Sequence, residues 1–174
     1  MKILDLNFKL FIREEEIHRV VKKIGKKLNR DYHDLNPLFL VILNGAFIFA
    51  ADLFRQLNIS AEVSFIKLSS YHEINSTGRV RELIGLNHTI FNRNLIILED
   101  IIDTGLTLQH TLDALQDLGA SSIEIVTLFL KPESFQKKIN IKYIGFNIPN
   151  NFIIGYGMDY QGYGRNLKDI YIQK

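Results

Sequence analysis

The 174-residue sequence contains no cysteine and no tryptophan, and it has only three prolines. Without cysteine the chain can form no disulfide, no thiolate zinc site and no thiol nucleophile. Any metal must therefore be bound by oxygen or imidazole ligands, and the composition is compatible with a reducing cytoplasm, where we expect the protein to act. The net charge of +2 is too small to indicate a nucleic-acid partner, which would require a clustered basic face.

The sequence also lacks an apolar run long enough to cross a membrane. Its most apolar region, residues 37–51, is interrupted by Asn44 and Gly45 and closed by Asp52. A membrane span needs about 20 consecutive apolar residues. The N-terminal region is acidic at 14–16 and has no long apolar stretch, unlike a signal or transit peptide. We therefore expect a soluble protein with no membrane partner.

The periodicity of apolar residues divides the chain into alternating helices and strands. The predicted elements are a helix at 13–29, a strand at 38–43, a helix at 46–56, a strand at 61–68, a strand at 95–98, a helix at 106–118 and a strand at 123–130. This alternation predicts an α/β fold with a parallel sheet flanked by helices and ligands at the carboxyl ends of the strands. Short strand-like runs within 143–174 are interpreted as a small layer over that edge.

The most informative segment, residues 95–107, runs an apolar strand into two adjacent carboxylates, a third carboxylate and a Thr-Gly-x-Thr turn. Thr104 and Gly105 precede the predicted helix, where free backbone N–H groups and the helix dipole favour an anion. Carboxylates beside a phosphate repel it unless they bind a divalent cation, sugar hydroxyls or a proton in transit. A ligand with a phosphate and a vicinal diol satisfies both the turn and the carboxylates of this segment. The segment lacks the lysine of an ATP-binding loop. Elsewhere in the chain, the Gly-Tyr-Gly sequences at 155–157 and 162–164 lack the third glycine of a dinucleotide-binding fingerprint.

This segment resembles the phosphoribosyl pyrophosphate signature of the type I phosphoribosyltransferases, and its Glu-Asp-Ile-Ile-Asp-Thr-Gly form resembles the hypoxanthine-guanine branch. The resemblance implies that Glu99 and Asp100 hold the ribose hydroxyls and their Mg²⁺, and that Asp103 is the catalytic acid/base at the purine ring. The implied cradle for the 5′-phosphate is Asp103, Thr104, Gly105, Leu106 and Thr107. From the residues alone, the alternative is an ordinary βα turn in which Asp103 caps the helix and the other carboxylates are solvated.

In the resembled family, the loop after the first strand binds pyrophosphate, commonly with lysine before glycine and often through a cis peptide. Here Asn44 stands in place of that lysine before Gly45, so the resemblance implies that Mg²⁺ or Arg165 carries more of the pyrophosphate charge. The alternative is a helix N-cap by Asn44. Ser70 and Tyr71 resemble the Ser-Tyr pair of the family's flexible loop, which closes over the reaction centre; the alternative is a hairpin tip without a role.

The remaining candidate residues form the implied purine site. By the resemblance, Lys131 donates to the exocyclic oxygen of the base and so selects 6-oxopurines. Phe152 stacks on the base, the Ile153 backbone reads its Watson–Crick edge, and Asp159 belongs to this site and binds a second Mg²⁺. The alternatives are a solvated Lys131 and a Phe152 packed in the core.

The resemblance covers roughly residues 36–172, in four blocks that follow the family's order. It implies a single domain over 1–174 with the type I phosphoribosyltransferase fold: a core at about 36–140, and a hood from the N-terminal residues and about 141–174. The implied reaction transfers the phosphoribosyl group from phosphoribosyl pyrophosphate to hypoxanthine or guanine, in a homodimer or homotetramer. Two alternatives stay open: a transferase for another base such as xanthine, and a non-catalytic nucleotide-sensing regulator that binds RNA or DNA.

Overall fold

The computed structural model describes residues 1–69, 81–84, 86 and 88–174. Ser70 and Tyr71 lie outside the described residues. The strands are β1 (Lys2–Ile3), β2 (Leu6–Ile12), β3 (Leu38–Leu43), β4 (Glu62–Ser69), β5 (Arg81–Ile84), β6 (Asn94–Ile102), β7 (Ser122–Leu130), β8 (Tyr143–Asn147), β9 (Ile153–Ile154) and β10 (Ile170–Gln173); the helices are α1 (Glu14–Asp31), α2 (Phe47–Phe54) and α3 (Leu106–Asp117). Among these helices, none combines the length and the apolarity that crossing a bilayer requires.

The main sheet has the strand order β5-β4-β3-β6-β7-β8, in which five strands are parallel and β5 is an antiparallel edge strand. This arrangement confirms the predicted α/β fold. Strand β6 is longer than predicted, because its ladder with β7 continues to the pairing of Ile102 with Leu130. Glu99 and Asp100 therefore lie within a strand and not in the loop that follows it.

Alternate residues of the central strands face two separate apolar clusters, as the two-residue period of a strand requires. Phe39 and Val41 of β3 face the cluster that contains α1 and α2, whereas Leu38 and Leu40 face the cluster that contains α3. The helices thus cover both faces of the sheet. This burial explains why β3 is apolar throughout, and its bounds match the predicted strand.

A second sheet joins the two ends of the chain in the order β1-β2-β10-β9. The prediction that 141–174 forms a hood as a whole is wrong, because β8 pairs in parallel with β7 and extends the main sheet. Tyr143 is fully buried there, and the Phe146 ring stacks on Phe129 at 5.5 Å. Strand β9 has only two residues, since positive φ angles at residues 155 to 157 end it after Ile154.

Candidate active site

Two adjoining cavities, of about 390 and 190 Å³, lie at the carboxyl ends of the parallel strands β3, β6 and β7. Asp103 and Ile101 line both. The larger cavity is also lined by Asp100 and by the residues assigned above to pyrophosphate and purine: Asn44, Gly45, Lys131, Phe152, Ile153, Asp159 and Arg165. The smaller contains Glu99, Asp103, Thr104, Gly105, Leu106 and Thr107. The fold thus places the residues implied for pyrophosphate and purine in one cavity and most of those implied for the ribose phosphate in the other.

An ion pair between Asp103 and Lys131 lies where the two cavities meet. The Lys131 Nζ donates to the Asp103 Oδ2 at 2.8 Å, and only 9% of the lysine side chain is exposed, which excludes the solvated alternative. Partial burial alone would raise the pKa of Asp103, but the hydrogen bond from Lys131, the nearby Ser134 hydroxyl and the charge of Lys131 together outweigh it and leave that pKa below its ordinary value. Near neutral pH, Asp103 is therefore an ionised carboxylate able to accept a proton.

Glu99 and Asp100 are neighbours on β6, so their side chains enter different cavities. Burial raises the pKa of Asp100 to about 6. Burial, assisted by the charge of Asp100, also raises the pKa of Glu99 well above its ordinary value. Glu99 is buried and Asp100 is half-buried, and this partial or full removal from water favours their pairing with a proton, a sugar hydroxyl or a cation. Oxygen ligands are those that Mg²⁺ prefers.

Asp159, the third acid assigned to magnesium, has partners of its own. Its Oδ1 accepts from Arg165 at 2.7 Å and its Oδ2 accepts from the Gly162 N–H at 2.6 Å. The Arg165 Nη1 donates to the Gly157 carbonyl at 2.7 Å. Within the described ranges, no three acidic or histidine side chains converge as a metal site. Asp159 shares the larger cavity with Asp100, while Glu99 lies in the smaller one.

The loop after β3 packs tightly against the acids of β6. The peptide bond between Leu43 and Asn44 is cis, and α2 takes its N-cap at Ala46, not at Asn44. A methyl group on Gly45 would lie 1.7 Å from the Asp100 Oδ2, and one on Gly157 would lie 2.2 Å from the Gly45 carbonyl oxygen. Glycine is therefore required at both positions, because the loop, the carboxylate and the C-terminal turns are in contact.

The turn after β6 presents backbone donors to the smaller cavity. Gly105 is the N-cap of α3, with φ of 79°, a conformation that glycine adopts readily. It, and not Asp103, fills the capping position. The first hydrogen bond of the helix runs from the Gln109 N–H to the Gly105 carbonyl. The backbone N–H groups of the first helical turn, before residue 109, are therefore available to an anion. The one among them with a side-chain partner is the Leu106 N–H, which donates to the Thr104 Oγ1 at 3.4 Å.

The Phe152 ring forms an open wall of the larger cavity. It meets Tyr160 edge-on with centroids 5.8 Å apart and Phe8 at 6.3 Å, yet 39% of the residue is exposed. Core packing therefore accounts for only part of the surroundings of the ring. Ile153 is held next to it in β9, which pairs with β10. A planar base could stack on the free part of the ring.

Several apolar residues of the site were not among those predicted from the sequence. Ile101 lines both cavities, and Met158 lines the larger one. Phe135 packs on Gly105, where a methyl group would lie 2.7 Å from its ring. Ile101 follows Asp100 and Met158 precedes Asp159 in the sequence. Their position next to predicted site residues was the signal that could have identified them. Phe135 gave none, because its contact depends on how the loop after β7 folds back.

Comparisons with known proteins agree with this geometry. A family model described as a phosphoribosyl transferase domain matches residues 13–161. The hypoxanthine-guanine phosphoribosyltransferase of Streptococcus pyogenes is 41% identical over 95% of this chain and 93% of its own length, and that of Bacillus subtilis is 39% identical with the same coverage. A solved hypoxanthine phosphoribosyltransferase from Staphylococcus aureus superposes with a TM-score of 0.90 at 37% identity, covering 98% of this chain and 92% of that one. The chain therefore belongs to the phosphoribosyltransferase family, in its hypoxanthine-guanine branch.

Proposed function

We propose that the protein transfers the phosphoribosyl group of phosphoribosyl pyrophosphate to hypoxanthine or guanine, releasing pyrophosphate and a nucleoside 5′-monophosphate. The observation that carries this proposal is the ion pair between Asp103 and Lys131 at the junction of the two cavities. An acceptor and a donor lie side by side where a base in the larger cavity would meet a ribose in the smaller one. A 6-oxopurine offers both complementary groups, a ring N–H and an exocyclic oxygen.

Asp103 acts as the base in this proposal. As the purine nitrogen bonds to the ribose anomeric carbon and the bond to pyrophosphate breaks, the ring proton leaves the purine for the Asp103 carboxylate. The lowered pKa of Asp103 keeps it ionised before transfer, and the 48% exposure of its side chain leaves it accessible to a base. General base catalysis of this kind contributes typically about 10²- to 10⁴-fold in rate.

Lys131 sets the choice of base. A lysine ammonium has three N–H donors and no acceptor, so a bond to Asp103 leaves donors for the exocyclic oxygen of hypoxanthine or guanine. The amino group of adenine would present a second donor to a buried ammonium and leave both unpaired. Discrimination by an unpaired buried polar group can reach about 10⁴-fold or more.

The smaller cavity receives the ribose phosphate in this proposal. The amides and hydroxyls of residues 104–107 hold the 5′-phosphate in this cavity. Glu99 here and Asp100 in the adjoining larger cavity would hold the ribose hydroxyls and Mg²⁺. The carboxylate oxygens of buried Glu99 and half-buried Asp100, whose pKa values are raised, suit such a cation. When bound, Mg²⁺ would neutralise charge on the pyrophosphate; Asp159 is proposed as the ligand of a second ion.

Arg165 and the Asn44-Gly45 loop are proposed to meet the pyrophosphate. Arg165 retains N–H donors beyond those bound to Gly157 and Asp159, and its planar fork suits phosphate oxygens. The Ser70-Tyr71 pair is proposed to close over the reaction centre, by the resemblance stated above.

We also propose that the protein forms a homodimer or homotetramer in the cytoplasm. Three apolar side chains are exposed on the side of the main sheet that carries α2: Val63 and Phe65 of β4, and Phe47 of α2. Their exposure supports self-association through this side. Sedimentation equilibrium would measure the oligomeric state, and a monomer at micromolar concentration would contradict this part of the proposal.

The assay that tests the proposed reaction is pyrophosphate release from phosphoribosyl pyrophosphate with adenine, hypoxanthine, guanine, xanthine, uracil and orotate in turn. Release with hypoxanthine or guanine is expected. Release with xanthine alone would favour the alternative transferase, and release only with adenine or a pyrimidine would contradict the roles of Lys131 and Phe152. Tight RNA binding without any release would favour the regulator.

A further inference from the structure

The segment 131–138 runs from the larger cavity to the turn that borders the smaller one. It begins at Lys131 in the larger cavity, and the Phe135 N–H donates back to the Lys131 carbonyl at 3.1 Å, which closes a turn. The Gln136 N–H then donates to the Thr104 carbonyl at 3.4 Å. The end of this segment is therefore held by a main-chain hydrogen bond against the turn that precedes α3.

Lys137 follows directly and packs on that turn. A methyl group on Gly105 would lie 3.2 Å from the Lys137 Cγ, so the stem of this half-buried lysine lies against the residue that caps α3. Two methylene groups and the ammonium extend beyond Cγ, and they can reach an anion on the amides of 106–108. Across the described residues, Lys137 forms no ion pair with a carboxylate.

The smaller cavity needs positive charge for its proposed ligand. None of the described residues that line it is basic, whereas Glu99 and Asp103 are acidic. A phosphate monoester carries roughly −1.5 to −2 charges at neutral pH, and a helix N-terminus is equivalent to only about half a positive charge. A lysine at the rim would make up part of the difference.

We propose that Lys137 binds the 5′-phosphate of the ribose ligand. This inference rests on the proposed function, because the phosphate belongs to the substrate and the product of that reaction. The same segment then supplies one cation to each cavity: Lys131 to the base and Lys137 to the phosphate. Since the phosphate does not react, Lys137 contributes to affinity for phosphoribosyl pyrophosphate and for the product more than to turnover.

The test compares Lys137→Met with Lys138→Met, which removes the same charge from the exposed neighbouring residue. Calorimetry would measure the binding of inosine 5′-monophosphate and of inosine, which lacks the phosphate. Lys137→Met should weaken binding of the monophosphate about tenfold and leave inosine binding unchanged, because the lost contact is a charge-assisted hydrogen bond to phosphate. Lys138→Met should change neither, and Lys137→Arg should restore binding of the monophosphate to within about threefold.

Two results would overturn the inference. One is wild-type affinity of Lys137→Met for the monophosphate; the other is an equal loss of monophosphate and inosine affinity, which would indicate a structural role. Failure of the proposed function is a separate outcome, in which the wild-type protein releases no pyrophosphate with any 6-oxopurine. In that case, ribose 5-phosphate binding by the same variants still decides whether Lys137 binds phosphate.

Discussion

The contact between Gly45 and Asp100 makes a quantitative prediction for Gly45→Ala. The new methyl carbon would lie 1.7 Å from the Asp100 Oδ2, and real contacts of this kind are essentially never shorter than 3.0 Å, so the oxygen must move by about 1.3 Å. The loop cannot retreat toward the C-terminal turns, because the Gly45 carbonyl already lies against Gly157. The carboxylate proposed to hold the ribose and Mg²⁺ is therefore displaced.

A misplacement of about 1 Å at a reacting centre can reduce the rate about 10²-fold, which is about 2.7 kcal/mol in the activation free energy. We expect Gly45→Ala to lower kcat/KM for phosphoribosyl pyrophosphate by about that factor, measured by pyrophosphate release with hypoxanthine. Gly25→Ala is the matched control, because its methyl also enters a contact below 3.0 Å, but against Gln56, which lines neither cavity. If Gly45→Ala stays folded and keeps kcat/KM within twofold of the wild type, the position of Asp100 does not limit the reaction.

Two further substitutions test the base site and the attachment of the C-terminal turns. Lys131→Met keeps the length of the side chain but removes its hydrogen-bond donors. The value of kcat/KM for hypoxanthine should therefore fall at least about 10²-fold, and the preference for hypoxanthine over adenine should shrink. A retained preference would show that another group binds the exocyclic oxygen of the base. Tyr156→Phe removes the 2.6 Å hydrogen bond from the buried tyrosine to Asp52 of α2. Urea denaturation should then show a free energy of unfolding that is lower by about 1.5 kcal/mol than in the wild type. An unchanged free energy of unfolding would mean that water replaces this bond fully.

The parallel sheet and the grouping of the candidate residues could be predicted from the sequence. A six-residue apolar run such as 38–43 is typical of a strand buried on both faces, and the structure has the same bounds there. The carboxyl ends of parallel strands meet at one edge, so Asn44, Asp103 and Lys131 were expected to come together although they are far apart in sequence. All three line the larger cavity.

The details that depend on packing between distant segments could not be predicted in this way. Tyr143 and its neighbours lie among Gly, Asn and Pro residues, and only the pairing with β7 makes them a strand of the main sheet. The separation of Glu99 from Asp100 was within reach, because neighbours on a strand face opposite sides, but it required knowing that β6 continues to Ile102. The contact of Lys137 with Gly105, in the turn before α3, depends on the path of a loop that has no periodicity.

Asp103→Asn tests most directly whether the ionised Asp103, held beside Lys131, accepts the purine proton. Asparagine keeps the shape and the hydrogen-bonding reach of the side chain but cannot accept that proton as a carboxylate does. We predict that turnover with hypoxanthine falls by about 10²-fold or more while the dissociation constant for phosphoribosyl pyrophosphate changes only a few-fold. Turnover equal to that of the wild-type protein would contradict the account and remove Asp103 from the proton transfer.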